Sequence, residues 1–457
     1  MAKPRASFRC SSCQYAVPKW VGRCPECGEW GSVGEAPARA LTGVGSGASA
    51  SMLPSTPALP ISAVDAAATL AKPTGVGELD RVLGGGVVAG SVILLAGEPG
   101  VGKSTLLLEV VHRWAQRSAQ DTALYVTAEE SAGQVRMRAD RTGAVHDRVY
   151  LASESDLATV IGHVEQVRPT LLVVDSVQTM CAAETEGVVG GVTQVRAVTA
   201  TLTSLAKSTG IAVLLIGHVT KDGTVAGPRT LEHLVDVVLQ FEGDRHSMLR
   251  MVRGIKNRFG ASDEVGCFEL REEGIAEVAD PSELFLHHRT SAVPGTAVTV
   301  TMDGKRPLLG ELQALVTNSP APTPRRAVSG LDSSRVAMVL AVLDSRCGIR
   351  VSNKEVYVAT VGGMRVTEPA ADLATALAVA TALTNRTLPA GVVVLGEVGL
   401  AGEIRRVSGI SRRLSEAVRL GFTHALVPPD HGPLPAGITA TVVPTVAAAL
   451  DALVTIR

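Results

Sequence analysis

The chain has 457 residues and a mass of 47.3 kDa, with 43 Lys and Arg against 44 Asp and Glu for a net charge of −1, a length that predicts about three domains. That balance excludes a globally basic nucleic-acid coat, so any nucleic-acid site must be a local patch. Hydrophobic residues at 46% and charged residues at 19% exclude wholesale disorder, and aromatics at only 3% mean that the cores are built from Ala, Val and Leu.

The opening MAKPRASFRCSSC has no apolar stretch of secretory type, and no apolar run reaches the ~18 residues of a membrane span, which together predict a cytoplasmic address and no membrane partner. In that compartment the seven cysteines should be thiols or metal ligands. Cys10 and Cys13, then ten residues on Cys24 and Cys27, form a paired CxxC arrangement. Each CxxC turn aims two thiolates at one centre, and two turns complete the tetrahedron that Zn²⁺ prefers. Gly22 and Gly28 suit the tight turns, and the metal would stabilise a finger over 1–30 that is too small to fold on apolar burial. Cys181, Cys267 and Cys347 stand alone in apolar contexts and read as small buried hydrophobes. Residues 31–72 open as a Gly, Ala, Ser and Pro tract that cannot offset its ordering entropy, which predicts a flexible linker.

From 73 to 282, apolar runs alternate with amphipathic stretches, the pattern of a mainly parallel α/β sheet. The clearest predicted strands are Ser91–Ala96, Ala123–Thr127, Leu171–Asp175 and Ile211–Gly217, near-continuous Val, Leu and Ile runs of the kind buried on both faces. The first leads into Gly97, Glu98, Pro99, Gly100, Val101, Gly102, Lys103, Ser104 and Thr105, a full GxxxxGK[ST] phosphate loop that opens the helical run TLLLEVVHRWA. Its glycines let backbone amides wrap phosphates, Lys103 bridges the β- and γ-phosphates of ATP, and Ser104 holds Mg²⁺. Asp175 ends a buried strand, where a further carboxylate of the magnesium shell belongs. Glu129 and Glu130 follow the strand ALYVT; one of them, with Glu129 preferred, is placed to orient and deprotonate the attacking water. His218 follows the last strand and either reports the nucleotide state or serves as a structural histidine. Between Arg245 and Gly260 lie Arg245, Arg250, Arg253, Lys256 and Arg258 with no acidic residue. Such a run suits a neighbour's nucleotide in trans, DNA phosphates or a solvated face.

The stretch from Thr74 to Gly86 (TGVGELDRVLGGG), running into GSVILLAGEPGVGKST, resembles the RecA-type ATPase core. With the four-Cys finger, Lys256-Asn257-Arg258-Phe259-Gly260 and GHVTKDGTVAGPRTLEH (217–233), nearly the whole chain resembles the RadA (Sms) family of bacterial DNA-repair ATPases. The resemblance implies a zinc finger, a RecA-like P-loop ATPase and, over 283–457, a Lon-protease-like α+β domain. It also implies a hexameric ring driven by ATP along single-stranded DNA, branch-migrating recombination intermediates beside a recombinase such as RecA. On that resemblance Lys256 and Arg258 join the nucleotide site or DNA at a subunit interface. The loops at 178–197 and 219–231 would face a DNA channel, with Arg196, Lys221 and Arg229 as candidate phosphate contacts. Neither loop holds an aromatic residue, so base stacking there should be minor and binding should depend on salt.

The last segment carries predicted strands at Thr296–Met302 and Val392–Leu395 and a Pro-rich loop at Asn318–Ser329. Its resemblance to the Lon proteolytic domain rests on Gly362-Gly363, on Glu368 to Ala374 and on Gly396 to Leu400. A protease of that kind needs a serine and a lysine. The serine position falls on Ala370, and the lysine position falls near Ser411, beside Arg412 and Arg413, which stay protonated. An oligomerising or binding role follows, with Arg405, Arg406, Arg412 and Arg413 as local positive charge toward DNA. The competing readings are a RecA-like regulatory ATPase whose turnover ignores DNA, and an ATP-dependent protease or unfoldase.

Overall fold

The computed structural model describes residues 8–11, 16–17, 20–35, 60–63, 70–218, 228–243, 249–286 and 292–455. The chain divides into two compact units, Met1–Asp65 and Ala66–Arg457.

In the first unit, β1 (Phe8–Cys10), β2 (Ala16–Val17) and β3 (Val33–Glu35) form an antiparallel sheet in the order β2-β1-β3. Among the described residues its core is Cys10, Val17, Cys24 and Val33 with Phe8 packed against them, too little apolar area to fold alone. Because β3 pairs with β1, the finger closes at Glu35 rather than at residue 30, and the start of the expected linker is strand.

The second unit begins with α1 (Gly77–Leu83) and a nine-stranded sheet built from β4 (Val92–Gly97), β5 (Ala123–Thr127), β6 (Val149–Ser153), β7 (Leu171–Asp175), β8 (Ala212–His218), β9 (Val237–Gly243), β10 (Leu249–Asn257), β11 (Val265–Arg271) and β12 (Gly274–Glu277). Its order is β12-β11-β10-β9-β4-β8-β7-β5-β6. The strands from β9 to β6 are parallel, and β10, β11 and β12 extend the sheet antiparallel. Every residue of β4, β5 and β7 is buried, because helices cover both faces. On one face lie α1, α2 (Lys103–Arg117) and α3 (Ala132–Thr142); on the other lie α4 (Leu157–Val167) and α5 (Val192–Thr209). The apolar face of α2 sets Leu106, Leu107, Val110, Val111 and Trp114 into this core, where the Trp114 indole donates to Thr170 Oγ1 at 2.9 Å. A single helical turn, α6 (Pro228–Leu231), precedes β9.

The chain then forms a seven-stranded mixed sheet, β15-β16-β14-β13-β17-β20-β21, from β13 (Thr296–Asp303), β14 (Arg306–Asn318), β15 (Arg326–Ser329), β16 (Lys354–Thr360), β17 (Val392–Val394), β20 (His424–Val427) and β21 (Thr439–Val442), with a small ribbon of β18 (Glu397–Val398) and β19 (Ile404–Arg405) beside it. Helices α7 (Ser333–Arg346), α8 (Asp372–Thr384) and α10 (Val446–Thr455) pack on one face and α9 (Ile410–Arg419) on the other. The Pro-rich stretch is not wholly loop: Arg326–Ser329 pairs in parallel with β16.

The two sheets are joined. Leu249, Val265 and Cys267 of β10 and β11 belong to the core under α7 and α8. Arg306, 6% exposed, pairs with the equally buried Glu78 of α1 and donates to Val265 O at 3.1 Å and Ala279 O at 2.9 Å. Arg253 of β10 meets Asp303 at 2.6 Å. Gly304, at φ +58°, seats the β13–β14 turn so closely that a β-carbon would stand 2.2 Å from Asp263 O. Among the described residues no helix is long and apolar enough to cross a membrane.

Candidate functional site

The phosphate loop joins β4 to α2 at the carboxyl edge of the parallel strands. Gly97 packs so tightly on β9 that a β-carbon would lie 2.4 Å from Phe241 O, and Gly102 caps α2 at φ 108°. Glu98, Pro99 and Gly100 form an exposed crest, Val101 and Lys103 are buried, and Ser104 and Thr105 lie half-buried in the first helical turn. Lys103 folds back inside the loop, its Nζ donating to Gly97 O at 2.9 Å and Glu98 O at 2.8 Å. Burial drives its pKa down to about 8, against the pull of the Asp175 and Glu129 carboxylates. The ammonium is thus held over the loop by two carbonyl oxygens, which phosphate oxygens could replace.

Asp175 is 7% exposed at the end of β7, and its Oδ2 accepts from the Tyr125 hydroxyl at 2.6 Å. Burial first, and Asp175 second, push the Tyr125 pKa well above its ordinary value, so the phenol stays a donor. Glu129 accepts from Ser176 Oγ and lies 3.1 Å from His218 Nε2. His218 is brought there by register, paired across β4–β8 with Gly97. Its Nδ1 is buried with no partner among the described residues. Glu130 is drawn elsewhere, into an ion pair with Arg138 of α3. Lys103, Asp175, Glu129 and His218 therefore gather at one edge of the sheet, and Glu130 is tied to a helix. Tyr125 and Ser176 complete the cluster; Tyr125 reads in sequence as one more apolar residue of a buried strand.

Lys256 and Arg258 are not brought to this edge. The register Leu94↔Val238 and Gly97↔Phe241, with Lys256↔Val238 and Asn257↔Val237 on the antiparallel β10, sets Lys256 level with Leu94 and Arg258 near the start of β4, about 10 Å and about 16 Å of strand from the loop where β4 ends. There Lys256 Nζ donates to Val235 O at 2.8 Å and to Glu232 O, and Arg258 meets Asp236 Oδ1 at 2.8 Å. Asp236 in turn accepts from the Val92 amide at 3.1 Å, and Asn257 Nδ2 donates to Leu83 O at 3.1 Å, at the end of α1. Phe259 is 43% exposed. Both bases are thus engaged by residues 232–236, away from their own chain's phosphate loop.

Of the candidate DNA contacts, Arg196 is exposed on α5; that helix starts at Val192, so the expected loop ends at Gly191. Lys221 lies outside the described residues, as does the Arg229 side chain. In the first unit, the sulfurs of Cys10, Cys24 and Cys27 lie within 4.8 Å of one another, with Cys10 and Cys27 Sγ 3.6 Å apart. That spacing fits three ligands of one Zn²⁺; Cys13 lies outside the described residues. Burial raises the Cys267 thiol to about 12, in keeping with a small buried hydrophobe.

At the Lon-like positions Ala370 is buried in an apolar core. Arg413 is fully buried rather than offered to DNA: it grips both Glu368 oxygens, one at 2.7 Å, and donates to Val300 O at 2.6 Å and Ser408 O at 2.9 Å. Burial works to raise the Glu368 carboxyl, but Arg413 holds it below the usual range. Arg405 and Arg406 are matched by Glu403 and by Asp430, and Arg412 donates to Lys305 O at 3.2 Å, so the expected positive patch is largely neutralised.

Over residues 8–35 the chain matches the rubredoxin metal binding domain family, over 57–224 the AAA domain family, and over 332–431 the family of subunit ChlI of Mg-chelatase. It is 59% identical to the DNA repair protein RadA of Mycolicibacterium smegmatis, over 99% of this chain and 97% of that one. It is 58% identical to RadA of Mycobacterium tuberculosis, over 100% and 95%. The identity is 44% to RadA of Streptococcus pyogenes serotype M1, over 99% and 100%. A solved KaiC-like protein from Pyrococcus horikoshii aligns with 46% of this chain and 99% of its own at 20% identity and a TM-score of 0.38.

Proposed function

The chain belongs to the RadA family of DNA repair proteins, and from that premise we propose that this DNA-repair ATPase is a DNA-dependent motor. It hydrolyses ATP on single-stranded DNA in the cytoplasm, as a hexameric ring that branch-migrates recombination intermediates alongside a recombinase such as RecA. The observation that carries the reading is the convergence of Lys103, Asp175 and Glu129 on the phosphate loop.

The loop amides and the α2 N-terminus bind the phosphates, and Lys103 exchanges its contacts with Gly97 and Glu98 carbonyls for phosphate oxygens. Ser104 and Asp175 are the residues to hold Mg²⁺, which when bound offsets charge on the β- and γ-phosphates. Tyr125 fixes one Asp175 oxygen and leaves the other for the metal shell. Glu129, oriented by Ser176 and His218, takes the proton of the attacking water. Contact between Glu129 and His218, the residue before the segment 219–231, gives that segment a route to the water-activating carboxylate.

Lys256 and Arg258 are engaged away from their own chain's phosphate loop, and that place favours completion of the site in trans and hence a ring. Cys10, Cys13, Cys24 and Cys27 hold Zn²⁺, which supplies folding free energy to the finger. The Lon-like domain oligomerises and binds; Ala370 and the buried Arg413 leave no proteolytic dyad there. ATP turnover by the full chain, with and without single-stranded DNA at two salt concentrations, tests the proposal. Stimulation that weakens with salt is expected; turnover indifferent to DNA at both concentrations would favour a regulatory ATPase.

A further inference from the structure

Two of the chain's three tryptophans stand in solvent on the first unit: Trp20 is 63% exposed and Trp30 75%, whereas Trp114 is 2% exposed in the ATPase core. The pair flanks Gly22, and ring atoms of both indoles come within 4 Å of the point a Gly22 β-carbon would occupy, so the rings are neighbours. Neither belongs to the ribbon core of Cys10, Val17, Cys24 and Val33. An indole carries a large apolar area that folding normally buries, and a fold this poor in core leaves two of them outside.

A cation is fixed beside them. The Arg23 guanidinium lies 5.9 Å from the centroid of the Trp30 ring, and its Nε donates to Gly28 O at 2.7 Å, which holds the group in place. Flat aromatic faces beside an anchored guanidinium are what an unpaired base and its phosphate require. Residues 1–30 carry five Lys and Arg against two Glu, so that even with a four-thiolate Zn²⁺ site of net charge −2 the balance stays slightly positive, compatible with a polyanion. The segments 178–191 and 219–231 contain no Phe, Tyr or Trp, so their sequence supplies no aromatic residue for stacking.

We propose that Trp20 and Trp30, with Arg23, form a nucleobase-stacking site for single-stranded DNA on the ribbon. The inference rests on the single-stranded DNA reading given under Proposed function. Stacking on an aromatic side chain adds affinity without sequence preference.

The test uses the full chain and end-labelled oligo(dT), with binding followed by anisotropy across a salt series. The Trp20→Ala, Trp30→Ala double variant, with zinc content verified, should bind about tenfold or more weakly. The slope of log affinity against log salt should stay unchanged, because no phosphate contact is lost. Trp30→Phe should keep most of the affinity, and an abasic oligomer should not distinguish wild type from the double variant. Equal binding of oligo(dT) by wild type and double variant overturns the site and assigns the indoles to a protein partner. A wild-type chain that binds no single-stranded DNA would instead overturn the motor reading itself.

Discussion

Burial of Lys103 should make nucleotide affinity a function of pH. Burial lowers its pKa to about 8 from the ordinary 10.5. In the nucleotide-free chain the charged form carries a burial cost below pH 8. The unfolded chain binds the extra proton between 8 and 10.5, so folding stability rises with pH across that window, by about 3 kcal/mol at most. Phosphate demands the opposite state, the ammonium. At pH 9 about one loop in ten still carries it, so ATP affinity should fall about tenfold from pH 7 to pH 9, or about 1.4 kcal/mol. Binding above pH 8 should also take up a proton. Titration of a fluorescent ATP analogue at pH 7, 8 and 9, with calorimetry in buffers of different ionisation enthalpy, measures both. Constant affinity over that range with no proton uptake would show that burial does not lower the Lys103 pKa.

Glu129→Gln should lower hydrolysis by about a hundredfold or more while ATP still binds, and Glu130→Gln should change turnover by less than about fivefold, since Glu130 serves Arg138; steady-state turnover beside nucleotide binding separates the two. Glu368→Leu leaves the fully buried Arg413 without its partner and should cost about 3 kcal/mol or more in denaturant melts, with much of the loss recovered when Arg413→Leu is added. Cys24→Ser should release the metal, read by elemental analysis, while nucleotide binding by the second unit persists.

What could be read from the sequence follows from where the physics is local. A parallel strand covered on both faces must be an unbroken apolar run, so Ala123–Thr127 and Leu171–Asp175 coincide with β5 and β7, and β4 and β8 are displaced by one residue. The phosphate loop is legible because its backbone path dictates its glycines. Pairings between distant residues are not: Tyr125 with Asp175 spans 50 positions, Glu368 with Arg413 spans 45, and Glu78 with Arg306 spans 228. Arg413 reads as a surface base because nothing near it in sequence announces its pairing with the half-buried Glu368. Strand β3 is hidden in a Gly- and Ala-rich tract since its pairing with β1 lies across the knuckles. The remoteness of Lys256 and Arg258 from their own phosphate loop emerges only from the register of β9 and β10 on β4.

That remoteness leads to the central claim, that one nucleotide is served by two chains. Lys103→Ala subunits lack a working loop but keep Lys256 and Arg258, whereas Lys256→Ala subunits have the reverse defect. Each variant alone should lack DNA-stimulated ATP hydrolysis. Mixed in rings verified to contain both, some interfaces pair an intact loop with an intact Lys256, and stimulated turnover should rise well above the sum of the two separate variants. Turnover that stays at that sum in verified mixed rings would contradict the shared site and leave Lys256 as a brace for the 232–236 loop of its own chain.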